Sequence, residues 1–190
     1  MATHQVTEEQ VQRVDEKMQE IRRLLSLPDG SPCDPDRVTD ALQRIIDGQG
    51  DPYSIDCDAD PSAYDGLVVV EHKKGGLILW GPKKFALYLS EPQRVGVVAS
   101  CRLLKELKSL PVMNTNVGDF FLRNPGLIPH EWKGNYIFFW GTIYRDQNGQ
   151  ADGDLCVRCL YQLGDEWRWT YFRLIGDRHS TDQALILVTP

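Results

Sequence analysis

The sequence predicts an α+β fold with helices at the N-terminus, a mixed middle region and an antiparallel, aromatic-rich sheet at the C-terminus. Near the N-terminus, apolar residues recur at three- and four-residue steps, which is the spacing of one helix face. In about the last sixty residues, β-branched and aromatic runs alternate with turn residues, which is typical of strands. Helices and strands therefore occupy different parts of the chain, as they do in α+β folds.

Composition narrows the class of protein. The chain has 190 residues, 42% hydrophobic and 25% charged, which is enough for one buried core with a small helical appendage. It holds no run of the roughly 20 apolar residues that cross a membrane, and its start lacks a signal-peptide pattern. The 5 cysteines are scattered and odd in number, so we expect a cytoplasmic protein. The formal charge of −6 counts against a general binder of nucleic acid or anionic membranes.

Two helices are predicted near the N-terminus. Residues 7–25 place their apolar side chains on one face, and Thr7 is suited to cap that helix. Residues 34–48 form a second, shorter helix, because Asp34 can cap it and a proline follows at the first helical position.

An acidic segment rich in proline and glycine, residues 49–66, separates these helices from the rest of the chain. We take it as the boundary between two parts. The first is a helical segment, residues 1–50, and the second is an α+β domain, residues 66–190.

The middle region mixes strands and helices. Residues 67–72 and 76–80 flank a turn containing two glycines, which predicts a hairpin, and residues 85–90 predict a further strand. Residues 94–110 have helical spacing with Val98, Cys101 and Leu104 on the inward face, and residues 116–124 predict another helix. Trp132 is expected to hold the following loop to the core. The predicted C-terminal strands are residues 135–145, 154–164, 166–176 and 183–188.

Two motifs imitate metal or redox sites. Asp56, Asp58 and Asp60 resemble the start of a calcium loop, but a proline stands where the turn needs glycine and a leucine where glutamate belongs. We therefore predict an acidic surface loop and no metal site. Cys156 and Cys159 form a CxxC on a predicted strand, where residues three apart point to opposite faces, so they are predicted to be structural.

Catalytic motifs are missing from the sequence. It contains no phosphate-binding loop, no dinucleotide fingerprint, no nucleophile elbow and no zinc-protease pair. His130 beside Glu131 offers an acid–base pair, but a loop histidine next to Trp132 is the plainer interpretation. We predict that the protein is not an enzyme and has neither catalytic residues nor a cofactor; the alternative needs His130 and Glu131 in a concave pocket.

Basic residues concentrate between Lys73 and Lys108, interleaved with Trp80, Phe85 and Tyr88. Such a pattern predicts either solvated lysines that protect a sheet edge or a nucleic-acid surface. A nucleic-acid-binding accessory protein is therefore the alternative function.

Residues 166–173, EWRWTYFR, are the most informative stretch, because strand geometry sends alternate side chains to opposite faces. Three large aromatic residues on one face predict a core or a platform. On the other face a cation, a hydroxyl and an aromatic suit a contact surface. If the sheet were instead buried on both faces, Phe172 would be buried at a lower cost in free energy than Arg168. The first face holds Trp167, Trp169 and Tyr171, and the second holds Arg168, Thr170 and Phe172.

Residues 114–190 resemble a group of small bacterial proteins associated with diversity-generating retroelements. The stretches FFWGTIYR, LCVRCLY and WRWTY carry the resemblance. In the variable target proteins of these elements, error-prone reverse transcription rewrites adenines, so that asparagine codons diversify on a fixed scaffold, which usually resembles the C-type lectin fold. The resemblance implies that Trp167, Trp169 and Tyr171 belong to the constant frame. It implies ligand-binding, varied positions at Leu163, Asp165, Arg168, Thr170, Phe172, Asp177, His179, Ser180 and Asp182.

Together these observations predict a non-enzymatic protein that binds a protein or a surface ligand through its C-terminal sheet and the following loop. No cofactor and no membrane span are expected. Self-association through the N-terminal helices is a further possibility that the amphipathic pattern leaves open.

Overall fold

A computed structural model describes residues 7–27, 31–32, 34–46, 53–64, 66–81, 83–147 and 153–188, with the side chains of Gln10 and Arg44 left out. The chain divides into two compact units, Met1–Pro52 and Tyr53–Pro190. The fold class is α+β, as the sequence predicts.

The first unit consists of two amphipathic helices, α1 (Glu8–Leu25) and α2 (Pro35–Ile46). The carbonyl of Thr7 accepts the Val11 N–H at the start of α1, and the Asp34 carboxylate caps α2 by accepting the Asp36 N–H at 3.0 Å. Both predicted helices are confirmed, although the predicted end of the second at residue 48 lies outside the described residues. None of the unit's described side chains is fully buried.

The second unit is built on one mixed sheet. The unit's strands are β1 (Ser54–Asp56), β2 (Leu67–His72), β3 (Leu77–Leu79), β4 (Phe85–Tyr88), β5 (Val98–Ala99), β6 (Tyr136–Asp146), β7 (Leu155–Leu163), β8 (Glu166–Arg173), β9 (Asp177–Arg178) and β10 (Asp182–Leu187), and its helices are α3 (Glu91–Val95), α4 (Ser100–Leu107) and α5 (Thr115–Arg123). The strand order of the main sheet is β4-β10-β6-β7-β8, and β2 pairs with the far half of β6. The C-terminal strands β6, β7 and β8 form the predicted antiparallel meander.

The last strand departs from the predicted meander. Strand β10 runs parallel to β6, beside Tyr136–Phe138, and antiparallel to β4 on its other side. On one edge of β6, β10 pairs with its first part and β2 with its second part. On the other edge, the register of β6 against β7 shifts between Phe138 and Ile143. A bulge of this kind bends a strand and ends one pairing before the next begins.

The predicted hairpin at residues 67–80 is wrong. Strand β2 joins the main sheet, whereas β3 pairs with β1, which lies in the segment predicted to be an acidic connector. The Asp58 carboxylate accepts the N–H groups of Gly75 and Gly76, which ties the turn to the acidic segment. A glycine turn predicts that the chain reverses, but it does not say which strands pair.

The predicted helix at residues 94–110 is also wrong in its first half. Helix α3 ends before Gly96, the short strand β5 pairs with β9, and α4 begins only at Ser100. Helix α4 buries Leu103 and Leu107, whereas Cys101 is exposed. The Ser100 hydroxyl and N–H both bind the Gly176 carbonyl, so a contact distant in sequence sets the start of the helix.

Helices cover the sheet on both faces. On one face α5 packs over Phe139 and Leu160, and Trp132 lies edge-on to Phe121 with 5.6 Å between ring centroids, as the anchoring role predicted for Trp132 requires. On the other face α4 packs over Phe138 and Trp140. The sheet is therefore the shared middle layer of two apolar cores.

Helix α5 lies so close to β8 that it needs a glycine at the contact. A Cβ atom at Gly118 would lie 2.9 Å from the Phe139 ring and closer still to the indole of Trp169. We expect Gly118→Ala to lower the free energy of unfolding by about 1–3 kcal/mol, because buried atoms would have to move apart. Urea denaturation measures this. Gly126→Ala is the control, because a Cβ there meets nothing within 4 Å, and a change beyond about 0.5 kcal/mol is not expected. Equal stability of the two variants would contradict the close contact.

Candidate functional site

Strand β8 separates its side chains as predicted. Trp167 and Trp169 pack against the α5-side core, and Tyr171 contacts Tyr64 edge-on at 6.1 Å between centroids. The Trp169 indole N–H donates to the Asp119 carboxylate of α5 at 3.0 Å. These three aromatic residues are therefore structural in the folded chain.

A buried arginine that the sequence pattern does not reveal completes this scaffold. Arg158 of β7 is 2% exposed, and its guanidinium carbon lies 4.0 Å from the centroid of Trp169 and 4.4 Å from that of Tyr64. Its Nε and Nη1 atoms have no hydrogen-bond partner in the described part of the chain. Stacking on two ring faces stabilises a cation that has few polar contacts. Arg158 therefore joins β7, β8 and the segment before β2.

The opposite face of β8 is only partly open. Phe172 is half-buried and packs against Tyr136 and Phe138, with centroid distances of 5.5 and 5.6 Å. Arg168 is exposed and pairs with Glu166 at 2.6 Å. The sheet is thus covered on both faces near Phe172, while the β8 hairpin end remains accessible.

Arg178 lies beneath this face. It is 2% exposed, and its guanidinium carbon lies 5.0 Å from the ring centroids of both Phe138 and Phe172. One nitrogen donates to the Arg173 carbonyl at 2.7 Å, while Nε has no partner among the described residues. Burial lowers the pKa of Arg178 from its usual value, against the opposing effect of Asp182. Nothing in the sequence pattern distinguished it from an exposed loop arginine.

An open depression of about 780 Å³ lies beside Arg178, at the edge of the sheet formed by β8. It brings together five of the nine predicted binding residues, from β8 and from the segment that follows it. The exposed side chain of Ile175 also lines it. We call this feature the recognition depression; its predicted members are Thr170, Phe172, Asp177, His179 and Asp182.

The other four predicted residues do not line the depression. Leu163 is the last residue of β7 and Asp165 lies in the β7–β8 turn, where Gly164 takes a positive φ of 63°. Arg168 and Ser180 are exposed beside residues that do line it. All four side chains face solvent and leave the core undisturbed.

Asp182 differs from the other predicted binding residues because it is buried. It is 7% exposed, and its carboxylate accepts the His179 N–H at 3.0 Å. Its carbonyl also accepts from Gln93, which bridges to the carbonyl of His179. The Asp182 side chain therefore helps to fix the conformation of the loop that carries His179.

The other motifs of the sequence lie outside the recognition depression. The Asp56 carboxylate accepts the N–H groups of Asp58 and Ala59 within its own turn. Among the described residues no three histidine, cysteine or acidic side chains are placed to hold a metal ion. His130 and Glu131 are exposed on a short 3₁₀ turn.

The described basic side chains between Lys73 and Lys108 are exposed. Some of them already have partners: the Lys73 ammonium donates to the Leu110 carbonyl at 2.9 Å, and Arg94 pairs with Glu91 at 3.4 Å. This distribution is compatible with either interpretation of the basic region.

No protein-family model, no curated protein and no solved structure matches this chain. None of the described helices is both long and apolar enough to span a membrane.

Thiol reactivity tests the placement of the cysteines. Cys156 and Cys159 lie on opposite sheet faces, and burial raises the pKa of both thiols. Burial, with Asp56 and Asp58 nearby, raises the pKa of Cys57 to about 11.

In a Cys33→Ser background, we expect iodoacetamide at pH 8 to alkylate Cys101 alone, because Cys101 is exposed and a thiol of pKa about 11 is only about 0.1% thiolate at that pH. Mass spectrometry before and after unfolding in urea gives the readout. Fast native labelling of Cys156 or Cys159 would contradict their burial.

Proposed function

We propose that the protein is a non-enzymatic binding protein, which presents a recognition surface on its C-terminal sheet and the following loop to a protein or surface ligand. The observation that supports this most is the convergence of β8 and residues 177–182 on one open depression beside a locked aromatic scaffold. The proposal needs no cofactor. We further propose that the protein is related to the variable target proteins of retroelements, that its fold is C-type-lectin-like and that it is located in the cytoplasm.

The composition of the surface favours a macromolecular ligand. Asp177 and His179 supply polar groups of different character, while Phe172 and Tyr136 supply aromatic area around the same depression. Ile175 is 79% exposed at its rim. Protein interfaces combine such aromatic and charged groups, whereas small-molecule sites are usually narrower and more enclosed.

The difference in packing between neighbouring residues of β8 supports a surface whose residues can vary. Arg168 is exposed and pairs with the exposed Glu166, whereas Trp169 contacts three other elements. Exposed positions tolerate substitution with little change in stability, and buried aromatic positions do not. A scaffold of this kind can accept new recognition residues without refolding.

The coding region offers the first test. We expect its genomic neighbourhood to contain a reverse-transcriptase gene and a near-repeat of the 3′ end that differs only at adenines. In independent isolates, substitutions should concentrate at the nine predicted codons and spare Trp167, Trp169 and Tyr171. Sequencing of that region gives the readout, and codons elsewhere in β6 and β7 serve as the control. Substitutions spread evenly over the 3′ end would contradict a diversified surface.

Paired variants offer the second test. We expect Trp169→Ala to lower the free energy of unfolding by about 2–4 kcal/mol, because it removes a large, half-buried ring that packs on Phe139 and its bond to Asp119. Arg168→Ala should change it by less than about 0.5 kcal/mol. Chemical denaturation measures both. If Arg168 tolerates only close analogues for folding, the display function is wrong.

A further inference from the structure

A second concave site lies on the α4 side of the sheet. It is a cavity of about 400 Å³ lined by residues of α4, β2 and β6, and it shares no lining residue with the recognition depression. We call it the α4 cavity. Its lining residues include the apolar Leu104, Leu107, Val112 and Trp140, with the polar Glu71, His72, Lys73 and Lys108.

The floor of this cavity is apolar. Leu107, Val112 and Trp140 line it but are buried, at 1%, 6% and 4% exposed. Leu104 is half-buried and offers a ligand more apolar surface.

Positive charge predominates among the polar lining residues. Lys73 and Lys108 contribute two ammonium groups, and Glu71 contributes the opposing carboxylate. Lys73 uses one donor on the Leu110 carbonyl at 2.9 Å, and an ammonium group carries three donors in all. Lys108 follows directly after α4, and its side chain is exposed.

His72 is already committed to the fold. Its Nδ1 lies 2.9 Å from the Thr142 hydroxyl, and its Nε2 lies 3.3 Å from the Asn114 amide nitrogen. Both ring nitrogens therefore have partners, and the lysines are the groups left to attract a charged ligand.

We propose that the α4 cavity binds a small organic anion with an apolar body. The acid group lies at Lys73 and Lys108, and the apolar body lies over the cavity floor beside Leu104. A volume of about 400 Å³ is within the range of small-molecule sites. This site is independent of the proposed recognition function, because the two concave features share no residue.

The same features argue against a nucleic-acid strand in this cavity. Bases bind single-strand surfaces by stacking on exposed aromatic rings, and Trp140 is too deeply buried to offer a ring face. The charge complementarity is also local, since it depends on two lysines beside an apolar floor. A compact acid fits this arrangement, whereas a polymer requires an extended basic track.

The test compares three probes of matched shape: 2-naphthoate, 2-naphthamide and 2-naphthylmethylamine. Isothermal titration calorimetry with the full chain in about 50 mM salt should give saturable 1:1 binding of naphthoate, about tenfold tighter than the neutral amide. The amine should bind more weakly than the amide. Equal affinity for naphthoate and naphthamide, or no saturable binding of any probe, would overturn the proposal. Displacement of naphthoate by a single-stranded oligonucleotide would overturn it in favour of a nucleic-acid surface.

Two charge-reversal variants, one on α4 and one directly after it, locate the binding site. Lys108→Glu should weaken naphthoate binding about tenfold, because it places a carboxylate at the cavity. Lys105→Glu is the matched control: Lys105 is exposed on α4, three residues before Lys108, and is not among the residues that line the cavity, so a change below about twofold is expected. Leu104→Trp should block binding of all three probes by filling the space. Equal losses for Lys108→Glu and Lys105→Glu would show a general field effect and overturn the site, and circular dichroism confirms that each variant is folded.

Discussion

The packing around Trp169 is the constraint on which the C-terminal architecture depends. Its ring lies against Phe139 of β6 and over the guanidinium of Arg158 of β7, and its indole N–H binds Asp119 of α5. The same helix needs Gly118 there, because a Cβ would enter the space that the indole occupies. One edge-strand side chain therefore fixes the distance between helix and sheet as well as the position of β8.

The fixed position of β8 also determines how the side chains on its other face are oriented. Alternate residues of β8 cannot rotate independently, so anchoring Trp167, Trp169 and Tyr171 also orients Arg168, Thr170 and Phe172. Arg178 reinforces the arrangement from the opposite face. It binds the Arg173 carbonyl, where β8 ends, and lies between Phe138 and Phe172. A recognition surface on such a strand is preorganised, and less entropy is lost when a ligand binds it.

Local pattern predicted those parts of the fold that local interactions determine. Helices α1, α2 and α5 and the meander of β6, β7 and β8 follow from periodicity and capping, and the two faces of β8 follow from alternation alone. Pairing partners did not follow, since the glycine turn after β2 is compatible both with a hairpin and with the observed separation of β2 from β3. The start of α4 depends on Ser100 binding Gly176, which no local window contains. Arg158 and Arg178 were missed for a related reason: burial of an arginine depends on aromatic rings brought from distant strands.

Burial divides the nine candidate positions by how freely each can change. Leu163, Asp165 and Arg168 are exposed at the β7–β8 turn or near it, so replacing them removes no core contact. Phe172 is different, because a smaller side chain would leave space beside Phe138 and expose the buried Arg178. Asp182 is also constrained, because its carboxylate accepts the His179 N–H within the loop that contains both residues. Of the predicted binding positions, the exposed ones beside the β7–β8 turn are therefore the freest to change, whereas position 172 is limited to residues that keep Arg178 covered.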